Sequence, residues 1–141
     1  MKENCTILWA EDDQDDVSLI AEAAETLKVG HLIDFVGNGK EAIEKLLRSA
    51  LNKTLPQLIV LDNNMPIQSG YETLLEIYPN PAINHIPVAF FTTGEFGLEM
   101  EFIRKHAKVF RKPSSYSAFL GTLQEIMLLC KTESNPVSSS K

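Results

Sequence analysis

Several short stretches of this chain are apolar at successive positions: Ile7-Leu8-Trp9-Ala10, Leu58-Ile59-Val60-Leu61, the run from Val88 to Phe91, and more briefly Val109-Phe110. Successive side chains of a strand point to opposite faces, so a strand with one wet face alternates apolar and polar residues. A strand that does not alternate is covered on both faces, as in a parallel sheet sandwiched between helices. Between the runs the apolar residues recur at helical spacing. Val17, Ile20, Ala24 and Leu27 form one stripe, Ile43, Leu46, Leu47 and Ala50 a second, and Tyr71, Leu74, Leu75 and Tyr78 a third. Leu98, Phe102 and Ile103 sketch a fourth, and Phe119, Leu120, Leu123, Ile126, Met127 and Cys130 a broad fifth. His31 to Val36 supplies one more strand before the Gly37-Asn38-Gly39 turn, and Pro56 introduces the strand that follows. Asp15 or Asp16 is placed to cap the first helix, Pro79 and Pro81 stop the third, and the fourth starts around Gly94 and Gly97. The expected fold is α/β: a doubly wound five-stranded parallel sheet flanked by five helices over residues 1–131, with a disordered Ser-rich tail over 132–141.

Composition narrows the partners. A net charge of -6 leaves no basic stripe for a phosphate backbone or an anionic bilayer, so neither nucleic acid nor membrane is an expected partner. Proteins are. No apolar run approaches a membrane span, and the apolar residues before Glu11 are too few for a signal peptide. Cys5 and Cys130 are too few and too isolated for a disulfide framework or a metal knuckle, and read as small hydrophobes in a reducing compartment. A cytoplasmic protein, monomeric or weakly dimeric, is expected. After the fifth helix only the short tail remains, so no DNA-binding or other output module is expected.

In doubly wound sheets the working site lies outside the carboxyl ends of the strands. Here those ends are Glu11-Asp12-Asp13, Asp62, Thr92-Thr93 and Lys112-Pro113. Carboxylates brought together repel one another unless a cation enters, and a hard oxygen-seeking ion such as Mg²⁺ suits them, with Asp12 and Asp62 as side-chain ligands. A carboxylate that attacks a phosphoryl group needs neutralising groups around the three equatorial oxygens. Asp62 is the candidate nucleophile, Lys112 its partner at rest and a phosphoryl contact afterwards, and Thr92 a hydroxyl donor. Taken singly, each has an ordinary explanation: Asp13, Asp15 and Asp16 as caps and dipole-favoured charges, Asp62 as an Asx turn, Lys112 as a solvated lysine. His31, His85 and His106 lack ligand spacing and are assigned no chemistry.

Glu11-Asp12, the segment Leu61-Asp62-Asn63-Asn64-Met65-Pro66 through Gly70, Ile86-Pro87-Val88 leading to Thr92, and Lys112-Pro113 together resemble the receiver domain of two-component response regulators, over residues 5 to 131. The resemblance implies a flavodoxin-like receiver fold in which Asp62 is phosphorylated by a histidine kinase or histidine phosphotransfer protein. It implies Mg²⁺ held by Asp12, Asp62 and the backbone carbonyl of Asn64, with Glu11 acting through a bound water. Thr92 becomes the switching hydroxyl and Lys112 the phosphate-contacting lysine. Pro66 and Gly70 shape the loop, and Asn64 and Gly94 occupy positions that tune phosphate lifetime. Signalling then runs to an unidentified downstream protein or along a phosphorelay, with no enzyme activity beyond self-phosphorylation and self-dephosphorylation. One departure is Val109, where receivers often carry an aromatic ring that swings inward on activation. Phe110 points to the opposite face of its strand and does not replace it, so transmission through the fourth helix and its loop, Glu95 to Phe102, is expected instead.

Other classes fit less well. A haloacid-dehalogenase-type phosphatase would use Asp13 of Asp13-Gln14-Asp15 as nucleophile, but the small hydroxyl residue soon after and a late Gly-Asp pair are missing. A flavin or nucleotide binder needs a glycine- or hydroxyl-rich loop after the first strand, and this one is acidic. A degenerate receiver acting as a constitutive binding module is disfavoured by the intact acceptor, acidic pair, hydroxyl and lysine.

Overall fold

The computed structural model describes residues 5–94 and 97–131. Five parallel strands, β1 (Ile7–Ala10), β2 (Ile33–Val36), β3 (Leu58–Leu61), β4 (Val88–Thr92) and β5 (Lys108–Arg111), form one sheet in the order β2-β1-β3-β4-β5. Five helices connect and close it: α1 (Gln14–Thr26), α2 (Gly39–Asn52), α3 (Gly70–Ile77), α4 (Gly97–His106) and α5 (Tyr116–Lys131). This is the doubly wound parallel architecture expected from the apolar runs.

Because neighbouring strand residues face opposite ways, the sheet builds two cores. Ile7, Trp9, Leu58, Val60, Ala89, Phe91 and Phe110 pack against α1 and α5. Leu8, Ala10, Ile59, Leu61, Val88 and Phe90 pack against α2, α3 and α4. Trp9 stands edge-on to Phe91 at 5.7 Å, and Phe91 meets Phe119 of α5 at 5.4 Å, so aromatic packing runs from the central strand to the last helix.

Local chemistry sets the helix starts. Ser69 and Glu72 form a capping box on α3, and Asn38 caps α2 through the Glu41 amide at 2.9 Å. The cap of α1 is Asp13, neither Asp15 nor Asp16: its carboxylate accepts from the Asp15 and Asp16 amides at 2.8 and 3.3 Å. Asp13 has the extended backbone a cap requires, whereas the other two already lie inside the helix. The second strand is also shorter than expected, since Gly30–Leu32 forms a 3-10 turn before β2. Leu98, assigned to the apolar stripe of α4, is 83% exposed, and Ile103 is the buried residue of that helix.

Cys5 and Cys130 require a correction. They form a disulfide, with Cα atoms 5.9 Å apart, joining the segment before β1 to the last turn of α5. The two cysteines are 125 residues apart, so their meeting depends on α5 returning across β1 and is invisible to spacing. Cysteine usage therefore gives no support for a reducing compartment. Among the described residues no helix is long and apolar enough to cross a membrane. The expected tail over 132–141 lies outside the described residues, as do Glu95 and Phe96.

Candidate functional site

The helix following β1 packs on one face of the sheet and the helix following β3 on the other. Adjacent parallel strands whose connections diverge leave a crevice at their carboxyl ends. The backbone ladder continues one step into that crevice. The Glu11 amide donates to Val36 O at 2.9 Å, the Asp62 amide to Ala10 O at 3.2 Å, and the Lys112 amide to Thr92 O at 2.9 Å. Glu11, Asp62, Thr92 and Lys112 are thus placed by the hydrogen-bonded ladder of the sheet itself.

Glu11 and Asp62 are buried while Asp12 is exposed, and oxygens of the three carboxylates all lie within 4.8 Å of one another. The Lys112 ammonium sits among them, donating to Glu11 Oε1 at 3.0 Å and Asp62 Oδ2 at 3.0 Å. It makes a third bond, to Asp16 Oδ2 of α1 at 2.8 Å. Burial is the main cause that raises the Glu11 carboxyl from 4.5 to about 7, and the negative charge of Asp62 adds to it. Hydrogen bonding and charge attraction from Lys112 offset this only in part. Burial pushes the Lys112 ammonium down, but hydrogen bonds to Asp16 and Glu11 and the charges of Asp62 and Glu11 outweigh it and hold it above its ordinary range. One cation thus faces an excess of carboxylates, an arrangement that a hard divalent ion would complete.

Thr92, at the end of β4, is 1% exposed, and its hydroxyl has no hydrogen-bond partner among the described residues. Thr93 faces outward. A buried hydroxyl without a partner is costly, and an anion delivered beside it would remove that cost. Thr92 also borders a groove of about 440 Å³ between α4 and β5, where Met100 and Val109 supply apolar wall. Val109 and Phe110 face opposite sides of the sheet, as expected: Phe110 is buried under α5, and Val109 packs on the α4 side.

The loop after β3 is held by its own polar groups. Asp62 Oδ1 accepts from the Asn64 amide at 3.3 Å. Gly70 opens α3 directly behind the loop, where a Cβ would lie 2.6 Å from Asp62 O and 2.8 Å from the Phe90 ring, so no larger residue fits there without moving one of them. The strained residue is neither Pro66 nor Gly70. It is Ile67, with φ +68° and the Gln68 amide bonded to Pro66 O at 2.6 Å, which is the rarer, positive-φ form of γ-turn.

Of the strand-end residues singled out in the sequence, Glu11, Asp12 and Asp62 form an acidic cluster with Lys112 among them, and Thr92 is joined to Lys112 through the backbone. Asn64 is exposed and contributes its amide to Asp62. Asp13 is occupied as a helix cap, and Asp15 is exposed. Two residues escaped the sequence reading. Asp16 reads in sequence as a dipole-favoured charge, but one turn of helix is enough to bring it to Lys112. Buried Asn63 accepts from the Tyr71 amide at 2.7 Å and donates to Glu99 Oε1 at 3.4 Å, joining the acceptor loop to the first turns of α3 and α4. A polar side chain directly after Asp62 was the available signal. His106 lies outside this site and packs with tilted rings against Tyr78 and Phe102, with ring centroids at 4.2 and 4.5 Å.

The family profile described as "Response regulator receiver domain" matches residues 7–115. Response regulator Rcp1 of Synechocystis sp. is 36% identical over 90 residues, which cover 62% of this chain and 61% of Rcp1. Among solved structures, the phosphorylated cyanobacterial phytochrome response regulator RcpA superposes with a TM-score of 0.81 at 27% identity, over 94% of this chain and 97% of RcpA. The Mn²⁺-bound form of Rcp1 gives a TM-score of 0.69 at 25% identity, over 97% of each chain.

Proposed function

As a member of the response regulator receiver domain family, this chain is a signalling domain, and we propose that Asp62 accepts a phosphoryl group from a histidine kinase or histidine phosphotransfer protein. The observation that carries this reading is the Lys112 ammonium bonded to Asp62 Oδ2 at 3.0 Å beside an acidic cluster and an unpartnered buried hydroxyl. One carboxylate oxygen of Asp62 attacks phosphorus as the bond to the donor's leaving group breaks, giving an acyl phosphate. The Lys112 N–H that faces Asp62 donates to a phosphoryl oxygen, and the Thr92 hydroxyl donates to another. The donor set fits Mg²⁺: Asp12, Asp62 and the Asn64 carbonyl would hold it, with Glu11 acting through a water. When bound, the ion supplies positive charge to the transferring group. The names of the phosphorylated RcpA and Mn²⁺-bound Rcp1 structures support both steps by likeness.

The acyl phosphate is hydrolysed by water, with exposed Asn64 and side-chain-free Gly94 leaving that approach open. Beyond this self-phosphorylation and self-dephosphorylation, no enzymatic turnover belongs to the reading. The output goes to an unidentified protein or onward in a relay. A chain fed by a kinase works beside the kinase's ATP-using part, in the cytoplasm.

Transmission runs through α4. Val109 offers no ring to swing, whereas the Asn63 side-chain amide donates to Glu99 and so connects the residue after the acceptor to the α4 first turn. Replacing Asp62→Asn abolishes phosphoryl uptake from a small phosphodonor, and Asp12→Ala raises the Mg²⁺ concentration needed for half-maximal rate by roughly 10–100-fold. A normal uptake rate in the Asp62→Asn protein contradicts the assignment.

A further inference from the structure

The Lys112 ammonium has as many protons as it has carboxylate partners, Glu11, Asp62 and Asp16. Glu11 and Asp62 belong to the strand ends. Asp16 comes from the first turn of α1 and makes the shortest of these ion pairs at 2.8 Å. Its side chain is 34% exposed against 0% for Glu11 and 7% for Asp62, so it closes the outer, solvent-facing side of the cluster. A lysine head group on a four-carbon stem is otherwise free to swing and to rotate about its last bond. With every proton committed to a carboxylate, both motions are restrained.

We propose that Asp16 is a positioning residue for phosphoryl transfer, holding the Lys112 ammonium so that one N–H stays aimed at Asp62 and at the phosphoryl group it receives. This deepens the phosphoacceptor reading and rests on it. When Asp62 becomes an acyl phosphate its carboxylate charge is lost, and the N–H that pointed at Oδ2 finds a phosphoryl oxygen instead. The remaining N–H groups stay on Glu11 and Asp16, so the ammonium need not move or reorganise during the step, which is the condition under which a charge stabilises a transition state most effectively. The side-chain hydrogen bond to Asp16 is also the foremost of the influences that keep Lys112 protonated against its burial. A plain structural role is the competing explanation, since an acid in the first helical turn favours the helix dipole whether or not it touches a lysine.

A double-mutant cycle separates the two. The phosphorylation rate of Asp62 is measured by intact mass at saturating Mg²⁺ across a range of small-phosphodonor concentrations, for wild type, Asp16→Ala, Asp16→Asn, Lys112→Met and Asp16→Ala with Lys112→Met. Asp16→Ala is expected to lower the rate at saturating donor by roughly 10–100-fold, with the half-saturating donor concentration unchanged. Asp16→Asn keeps an oxygen acceptor for the ammonium and recovers most of the rate. On the Lys112→Met background the Asp16→Ala change adds less than about twofold, because a residue acting through Lys112 has nothing left to act on. Thermal unfolding confirms that each variant is folded, and the comparison of Asp16→Ala with Asp16→Asn stands without the lysine variants. No uptake by wild type overturns the phosphoacceptor reading and this proposal with it. Wild-type uptake that Asp16→Ala leaves unchanged, or that falls equally with and without Lys112, overturns the positioning role alone.

Discussion

At the scale of single residues the site is a set of charges that do not balance. Glu11 is fully buried beside Asp62, and its carboxyl is raised from 4.5 to about 7, by burial first and by Asp62 second. A carboxyl with a raised folded value binds its proton more tightly in the native than in the unfolded chain, so its contribution to stability is complete below about pH 4.5 and is lost as the pH rises through about 7. Metal-free protein in chelator is therefore expected to lose more stability than Glu11→Gln between about pH 5 and pH 8, by up to roughly 3 kcal/mol. Parallel pH profiles of thermal unfolding for the two proteins contradict this. Asp62, Thr92 and Lys112 were legible because each ends a recognisable apolar run, and the strand end fixes both where the backbone stops and which way the next side chain points. Asp16 was not, because its role depends on how α1 leans over the sheet, a tertiary fact that helical periodicity does not carry. The same limit hid Ile67: Pro and Gly advertise turns, whereas a β-branched residue at positive φ is held there by its surroundings.

At the scale of elements, α4 is tied to the acceptor loop by a side-chain bond. The residue after the acceptor is bonded to the first turn of α3 through Tyr71 and to that of α4 through Glu99, and the unpartnered Thr92 hydroxyl borders the groove between α4 and β5. Binding of beryllofluoride as a phosphoryl mimic is expected to change amide hydrogen exchange over residues 97–102, and Glu99→Ala to reduce that change by at least about half by cutting the link to the acceptor loop. Unaltered exchange there contradicts transmission through α4. Sequence periodicity was least informative for this same helix: its start has positive-φ Gly97 and one of its stripe residues, Leu98, faces solvent. A short helix with a single buried residue leaves little pattern to read, in contrast to α5, whose stripe of Phe119, Leu123, Ile126 and Cys130 is buried as expected.

At the scale of the whole molecule, a parallel sheet with two cores sets the layout of the site: the ends of β1, β3 and β5 hold the charged Glu11, Asp12, Asp62 and Lys112, and the end of β4 holds Thr92. The unexpected closure is the Cys5–Cys130 disulfide, which ties α5 to the start of β1. A crosslink over 125 residues removes much of the unfolded chain's freedom, so its reduction is expected to cost about 2–5 kcal/mol and to lower Tm by roughly 5–15 °C. A double Cys5→Ser, Cys130→Ser protein should unfold at the reduced Tm and ignore reductant, whereas a wild-type Tm indifferent to reductant contradicts a stabilising crosslink. Long-range pairing of this kind is beyond a linear reading, while the order of strands and helices is not, because it follows from local periodicity and from the rule that apolar strands need cover on both faces. On the proposed reading, this architecture serves the phosphorylation of one aspartate, Asp62. The most direct test is incubation with a small phosphodonor and Mg²⁺, followed by intact-mass measurement and mapping of the acid-labile site: a single added phosphoryl group on Asp62 is the predicted result, and modification at Asp13, or none, contradicts it.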